Sequence, residues 1–195
     1  MKLSLVVPCY NESENIMAFQ DAVIKAFASC AFSYEIIFID DGSTDTTLCE
    51  LKKVFKQQRC PVKVISLSRN FGKESALYAG IQHAAGEYIS LIDADLQQRP
   101  EIICKMVETL DNDPNFDVIA AYQDRRNEGK ILSLFKKLFY KTINMLSDID
   151  LKQDASDFRT FRRSVAESIL SLGEYHRFSK GIFAWIGYKT CFIPY

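Results

Sequence analysis

The chain has 195 residues, of which 48% are hydrophobic and 25% are charged, the proportions of an ordinary globular domain. The net charge of −1 excludes a global attraction to nucleic acid. The sequence contains no run of about 18 apolar residues that would span a membrane, and its apolar start is too short for a signal peptide.

The first 122 residues alternate short apolar segments with helical ones. Strands are predicted at 3–8, 35–40, 62–67, 88–93 and 117–122. Helices are predicted between them, at about 14–29, 45–57, 73–84 and 100–111. Alternating β and α units predict an α/β fold with one mostly parallel sheet and helices on both of its faces.

The pattern changes after Tyr122. Residues 130–146 predict an amphipathic helix, and residues 125–141 contain six basic residues and one acid, a local charge of +5. Such a helix fits either a membrane surface or packing on the protein core. Further elements are predicted as a strand at 157–162, a helix at 163–172 and a strand at 188–195. The chain ends inside an apolar run, so we expect the natural protein to be longer.

The cysteine and histidine residues suggest no metal centre. The six cysteines form no C-x-x-C pair, which favours reduced thiols over a disulfide framework or a zinc site. His83 and His176 have no second ligand at helical spacing, so both are interpreted as structural or surface residues.

Two of the predicted strands end in paired acids. Asp40 and Asp41 follow the second strand, and Asp93 and Asp95 follow the fourth. The carboxyl ends of strands are the ligand-binding edge of an open α/β sheet. Carboxylates gathered there need a positive partner, such as a divalent metal that carries phosphates, and Gln97 could add an amide oxygen.

Each acidic loop also has a simpler interpretation. The D-x-D of Asp93 and Asp95 is common in surface turns. Residues 40–45 could form an ordinary joint in which Ser43 or Thr44 caps the next helix. The loop after the first strand, which includes Pro8, could offer Tyr10 to stack on a base and Glu12 to accept a hydrogen bond, or it could simply cap a helix.

Basic residues occur after the third predicted strand and again after Asp157. Arg69 and Lys73 follow the third strand and could clamp a phosphate, or they could belong to a solvated loop. Asp157 could act as a base or organise charge. Three arginines that follow it could meet phosphate or protect an edge strand from aggregation: Arg159, Arg162 and Arg163.

Taken together, these segments resemble the family 2 glycosyltransferases with a GT-A fold. More narrowly, the chain is similar to polyprenyl-phosphate hexose synthases such as dolichol-phosphate mannose synthases and bactoprenol glucosyltransferases. Six segments occur in the family's order and span nearly the whole chain: VVPCYNESENI, IIFIDDGSTDTT, SLSRNFGKESAL, ISLIDADLQ, DASDFRTFRR and RFSKGIFAWIGYKT. The set is specific, although no single member would be.

The resemblance implies a role for several residues. The nucleotide-sugar donor would meet Pro8, Tyr10, Glu12, Asp41, Arg69, Lys73, Asp93 and Ala94. Mg²⁺ or Mn²⁺ would be held by Asp93, Asp95 and Gln97, and the catalytic residues would be Asp157 and Asp95. Donor and acceptor phosphates would meet Arg125, Arg126, Arg162, Arg163 and Lys180.

The implied protein is an inverting, metal-dependent enzyme. It would move a hexose from a UDP- or GDP-sugar to a polyprenyl phosphate at the cytoplasmic face of a membrane. The protein could also form a homo-oligomer. Residues 1–122 would bind the donor and residues 123–195 would serve the acceptor. Many relatives continue into a basic loop and two transmembrane helices, which this sequence lacks. Another departure is Gln98-Arg99-Pro100 after the D-x-D, where the family usually has an acid and prolines.

Four other classes of protein share part of this pattern. A family 2 enzyme with a glycan acceptor and a non-catalytic nucleotide-sugar-binding module both keep the same fold. A nucleotidyltransferase would require a glycine-rich loop after the first strand, where this chain has Pro8-Cys9-Tyr10. A phospho-receiver module would leave the segments around Asp95 and Asp157 without a role.

Overall fold

The computed structural model describes residues 1–122, 155–172 and 179–195. In chain order, their elements are β1 Leu3–Cys9, α1 Ile16–Phe27, β2 Tyr34–Asp40, α2 Thr47–Gln57, β3 Val62–Ser66, α3 Lys73–His83, β4 Tyr88–Leu91, α4 Glu101–Asn112, β5 Val118–Tyr122, β6 Ala155–Arg162, α5 Arg163–Ser171, α6 Ser179–Trp185 and β7 Thr190–Pro194. The alternation predicted for the first 122 residues is confirmed, with boundaries within about two residues.

The described strands form a single seven-stranded sheet in the order β3-β2-β1-β4-β6-β5-β7. Strand β6 runs antiparallel to its neighbours β4 and β5, and the other pairs are parallel. The mostly parallel α/β sheet is therefore confirmed. Because β6 is reversed, its amino end lies beside the carboxyl ends of the neighbouring strands.

Helices cover both faces of the sheet. On one face, the core combines sheet residues with α1, α2 and α4, through side chains such as Phe19, Val54 and Met106. On the other face, α3, α5 and α6 contribute Leu77, Val165 and other apolar residues. Alternate residues of each strand thus enter opposite cores, as a two-residue strand period requires.

A polar cluster fixes the amino-end edge of the sheet. Ser4 Oγ donates to Glu35 Oε1 at 2.7 Å, and Lys63 Nζ lies 2.9 Å from Glu35 Oε2. Gly86 donates its backbone N–H to Ser4 Oγ, at a point where a Cβ atom would strike the backbone of Leu3 and Ser4. Gly86 is therefore required by the close approach of these two backbone segments.

Several expectations differ from the structure. A disulfide joins Cys30 to Cys104, with a Cα–Cα distance of 6.6 Å, so the prediction that all cysteines are reduced thiols is wrong for this pair. The two residues are separated by 74 positions, and they meet because α1 and α4 pack on the same face of the sheet. The segment around Phe183 is helical, as α6. The predicted helix 130–146 lies outside the described residues.

Among the described residues, no helix is both long and apolar enough to cross a membrane.

Candidate active site

A cleft of about 350 Å³ opens at the carboxyl ends of β1, β2 and β4. These strands are neighbours in the sheet, so the loops that leave them meet. Its lining comprises Pro8, Cys9, Tyr10, Glu12, Asp41, Asn70, Gly72, Lys73, Ala76, Asp93, Ala94 and Asp95. Seven of the eight residues predicted to meet the donor line this cleft; the exception is Arg69.

The β1 loop is fixed by the loop that follows β2. Asn11 adopts a positive φ of 57°. Its side-chain oxygen accepts the Thr44 backbone N–H at 2.9 Å, and its own N–H donates to Ser43 Oγ at 3.0 Å. Ser43 and Thr44 therefore tie two loops together and do not cap α2 as predicted. Tyr10 is left 44% exposed at the cleft, so its ring is available for stacking.

Glu12 is held in the same loop by two contacts. Its backbone N–H donates to Thr47 Oγ1 at 2.8 Å, and Asn15 Nδ2 donates to Glu12 Oε2 at 2.6 Å. The carboxylate is thereby oriented at the cleft wall, where it can accept a hydrogen bond from a ligand.

Asp41 organises the loop between β3 and α3. Its two carboxylate oxygens accept the backbone N–H groups of Phe71 and Gly72 at 2.8 and 2.9 Å, and its side chain is almost wholly buried. Gly42, at φ 64°, lies so close to the backbone of Arg69 that a side chain would collide there. Asp40 holds the turn itself, since it accepts from Ser43 N at 3.2 Å.

Lys73 connects the D-x-D to the start of β6. Its Nζ lies 2.6 Å from Asp93 Oδ1 and 3.6 Å from Asp157 Oδ2. Burial alone lowers the pKa of Lys73, but the hydrogen bond and charge of Asp93, and then the charge of Asp157, raise it above its ordinary value. The lysine is therefore a cation at neutral pH.

Asp157 reaches this cluster because β6 is reversed. Arg159 pairs with Leu91 at the end of β4, so Asp157, two residues earlier, lies beside the residues that follow β4. The carboxylate is partly exposed, at 28%. One proposed metal ligand, Asp93, and the proposed catalytic residue, Asp157, thus meet around one ammonium group.

The second acid of the D-x-D is open to solvent. Asp95 is exposed, and its Oδ1 accepts the backbone N–H of Gln97 at 3.0 Å. The Gln97 side chain is exposed and lies outside the cleft lining. Gln98 instead contacts the motif: it is buried, accepts Asp93 N at 3.1 Å and donates to Asp93 Oδ2 at 3.3 Å. Sequence reasoning missed this contact, since Gln98 was noted only as a departure from the family's pattern.

The charge of the cleft suits a divalent cation. Its described lining contains four carboxylates (Glu12, Asp41, Asp93 and Asp95) and one ammonium (Lys73), so 4 × (−1) + 1 gives −3. The described part of the chain presents no group of three or more His, Cys, Asp or Glu side chains placed to hold a metal. Mg²⁺ typically takes one or two carboxylates and completes its shell with phosphate oxygens and water, which fits Asp93 and Asp95.

Cys9 lies at the cleft floor but is not a nucleophile. Burial, followed by the negative charges of Glu12, Asp40 and Asp93, raises the pKa of its thiol well above the ordinary value. A neutral, buried thiol is chemically inert.

The proposed phosphate-binding roles of Arg162 and Arg163 are wrong. Arg162 pairs with Tyr88 at the amino end of β4, the opposite edge of the sheet from Asp93. Its guanidinium donates to the carbonyls of Leu110 and Phe116 at 2.7 and 2.9 Å. Arg163 donates to Ala84 O at 2.8 Å and also to Gly86 O. The reversed direction of β6 carries both residues away from the cleft.

The other predicted basic residues are placed less directly. Arg69 stacks on the Phe71 ring at 4.1 Å, outside the cleft lining. Arg125 and Arg126 lie outside the described residues, as does the side chain of Lys180 in α6.

Arg159 is a buried charge close to the site. Burial lowers its pKa to about 10, against the opposing effect of the Asp157 and Glu74 carboxylates. Its guanidinium lies 4.1 Å from the Phe183 ring of α6. It is therefore part of the support behind Asp157, shielded from solvent and from any bound phosphate.

Comparison with known proteins agrees with this geometry. The model of glycosyl transferase family 2 matches residues 4–170, so the chain belongs to that family. It is 37% identical over 194 residues to CsbB of Bacillus subtilis, covering 99% of this chain and 58% of the relative. It is 37% identical over 195 residues to a prophage bactoprenol glucosyl transferase homolog of Escherichia coli K12, covering 100% of this chain and 63% of the relative.

A solved structure supports the fold. The mannosyltransferase PcManGT of Pyrobaculum calidifontis, in complex with GDP-Man and Mn²⁺, superposes with a TM-score of 0.70 at 19% identity. The match covers 99% of this chain and 55% of that structure. The chain thus spans about three fifths of the length of the curated relatives it matches.

Proposed function

We propose that this chain is the catalytic part of an inverting hexosyltransferase that uses a UDP- or GDP-sugar donor and a polyprenyl-phosphate acceptor. The observation that carries the proposal is the contact of Lys73 with both Asp93 and Asp157, beside the cleft at the carboxyl ends of β1, β2 and β4. The names of the curated relatives, which include bactoprenol glucosyl transferases, support the choice of acceptor.

The donor half of the cleft is built from the first two loops. Tyr10 would stack on the base, while Glu12 and Asp41 would accept hydrogen bonds from the nucleoside. The diphosphate would meet Lys73 and the amino end of α3, where the helix dipole favours an anion. Residues 1–122 would thus form the donor half and residues 123–195 the acceptor half.

The metal would be Mg²⁺ or Mn²⁺, held by Asp93 and Asp95, with Gln97 as a further candidate ligand. The complex of PcManGT with GDP-Man and Mn²⁺ supports a metal-dependent reaction here. When bound, the ion neutralises charge that develops on the leaving diphosphate.

The transfer itself is a displacement at the anomeric carbon. A phosphate oxygen of the acceptor forms a bond to C1, and the bond between C1 and the β-phosphate oxygen breaks, which releases the nucleoside diphosphate and inverts the anomeric centre. The acceptor is already an anion, so Asp157 would position it or stabilise positive charge on the sugar. In the absence of ligands, Lys73 Nζ lies 3.6 Å from Asp157 Oδ2 and holds that carboxylate beside Asp93.

The acceptor implies work at a membrane surface. Trp185, at the end of α6, is 61% exposed, and interfacial aromatic residues are common in proteins that contact lipid. Arg125, Arg126 and Lys180 remain candidates for the acceptor phosphate. Binding to anionic vesicles at low salt, compared with neutral vesicles, would test this placement; equal binding to both would contradict it.

The test of the function is transfer in detergent. The protein would be incubated with UDP-glucose, UDP-galactose or GDP-mannose and undecaprenyl phosphate, with Mg²⁺ or Mn²⁺, and the lipid product identified by mass spectrometry. We expect one donor to yield a polyprenyl-phosphate hexose, with Asp95→Asn inactive. Transfer to a glycan and not to lipid phosphate would favour a different acceptor, and donor binding without turnover would favour a binding module.

A further inference from the structure

Lys73 occupies an unusual position between two functional carboxylates. Its Nζ contacts both oxygens of Asp93, at 2.6 and 2.9 Å, and lies 3.6 Å from Asp157 Oδ2. The side chain remains 42% exposed at the cleft. The same ammonium group therefore contacts Asp93, the first acid of the D-x-D, and Asp157, the candidate catalytic residue.

Hydrogen bonds hold the backbone just before Lys73, whereas the Lys73 side chain is long and can rotate. Lys73 is the first residue of α3, and the two N–H groups just before it, of Phe71 and Gly72, are bound by the buried Asp41. Four methylene groups separate this fixed backbone from the ammonium. The ammonium can consequently change partners while the loop keeps its shape.

Lys73 and a divalent metal compete for the same carboxylate. The two Asp93 oxygens that a metal would use are both in contact with Nζ. A metal bound to either oxygen would lie within a few ångströms of the ammonium, where two positive charges repel strongly. A cation on Asp93 therefore requires Lys73 to move towards another anion.

We propose that Lys73 is an exchangeable counter-ion of the active site. It neutralises Asp93 and Asp157 until a divalent cation takes Asp93, and it then transfers to the phosphates of the nucleotide that accompanies the metal. The exchange rests on the proposed function in one respect, the nucleotide-sugar donor. It couples loading of the donor to release of Asp157, whose negative charge is then available to stabilise positive charge that develops on the sugar.

The exchange predicts two effects of opposite sign. Lys73→Met removes the competitor, so Mn²⁺ without nucleotide binds more tightly, by about tenfold, the effect of one neighbouring unit charge. The same substitution removes a phosphate partner, so UDP at saturating Mg²⁺ binds more weakly, also by about tenfold. A lysine with a purely structural role would weaken both ligands when it is removed.

The experiment measures free Mn²⁺ by electron paramagnetic resonance during titration, and UDP by calorimetry. Lys63→Met is the matched control, because Lys63 also pairs with a largely buried carboxylate, Glu35, but at the opposite edge of the sheet. We expect both affinities to be unchanged in this control. Asp95→Asn tests the metal site separately, since it should lose Mn²⁺ in either background.

The outcomes are distinct. Tighter Mn²⁺ with weaker UDP in Lys73→Met supports the exchange, as does Mn²⁺ binding that is detectable only in this variant. Unchanged or weaker Mn²⁺ binding, or UDP binding that does not weaken, overturns it. None of these measurements uses the transfer reaction, so failure to transfer hexose to lipid phosphate would refute the proposed function and leave the exchange standing.

Discussion

Substitution of Arg162 tests whether this residue stabilises the fold or binds a ligand. The sequence places it in a basic cluster next to Asp157, but the structure uses it to bind the end of α4. Its guanidinium donates to Leu110 O at 2.7 Å and Phe116 O at 2.9 Å, with longer contacts of 3.4 Å to Asp113 O and the Tyr88 hydroxyl. Arg162→Met should therefore lower stability and leave ligand binding intact.

The magnitude follows from the two short contacts. A hydrogen bond from a charged donor contributes about 1.5–3 kcal/mol, and two at the low end of that range give about 3 kcal/mol. The two longer contacts add little. For a chain of this length, 1 kcal/mol shifts the melting temperature by about 2–4 °C, so the variant should melt about 6–12 °C lower.

The assay is urea unfolding of the wild type and the variant, combined with UDP titration at a temperature where both are folded. Lys2→Met is the control, because Lys2 lies at the same edge and pairs with Asp111 at 2.7 Å in a solvent-exposed setting. Exposed pairs contribute about 1 kcal/mol or less. A loss below about 1 kcal/mol in Arg162→Met, together with weaker UDP or lipid-phosphate binding, would refute the structural assignment.

Three further substitutions separate the roles of the acids. Asp41→Asn offers one oxygen to two N–H donors, so it should destabilise the protein by about 1–3 kcal/mol and weaken UDP binding; calorimetry that shows neither change would exclude its loop-organising role. Burial raises the pKa of Asp45, but the hydrogen bonds from Thr47 and Ser13 together outweigh it and lower the pKa from 3.8 to about 2. Its stabilisation is thus complete above the ordinary pKa and disappears as pH falls towards 2, so urea midpoints of Asp45→Asn should depend less on pH in that window than those of the wild type. Asp157→Asn should reduce transfer at least about 100-fold while UDP affinity changes little, and an equal loss of both would count against a catalytic role.

The sequence predicts the first five strands well because each is a short, mostly apolar segment with a turn after it. Asp41, Asp93 and Asp95 were identified because the carboxyl ends of parallel strands share one edge, which is a property of the fold class. What the sequence could not provide is the partner of each acid. The pairing of Asp41 with the N–H groups of Phe71 and Gly72 joins residues 30 positions apart, and no local pattern encodes it.

The sequence pattern groups Arg162 and Arg163 with Asp157, and the structure separates them for a definite reason. A run of seven residues from Asp157 to Arg163 looks like one functional cluster, yet an extended strand rises about 3.3 Å per residue. Asp157 and Arg163 are therefore about 20 Å apart. A strand that starts at the active site must end at the opposite edge of the sheet, so length alone should have separated the two groups.

The reversed strand β6 also brings residues from both halves of the chain to one edge of the sheet, as the proposed function requires. If β6 ran parallel to β4, its amino end would lie at the edge occupied by Glu35 and Gly86, and Asp157 would be remote from the D-x-D. The antiparallel pairing of Leu91 with Arg159 instead brings a residue from the second half of the chain to the end of β4. Lys73 then contacts both that residue and Asp93, so one ammonium group touches carboxylates from both halves of the chain. A change at Lys73 should accordingly alter donor and acceptor steps together, whereas changes at Tyr10 should alter the donor step alone.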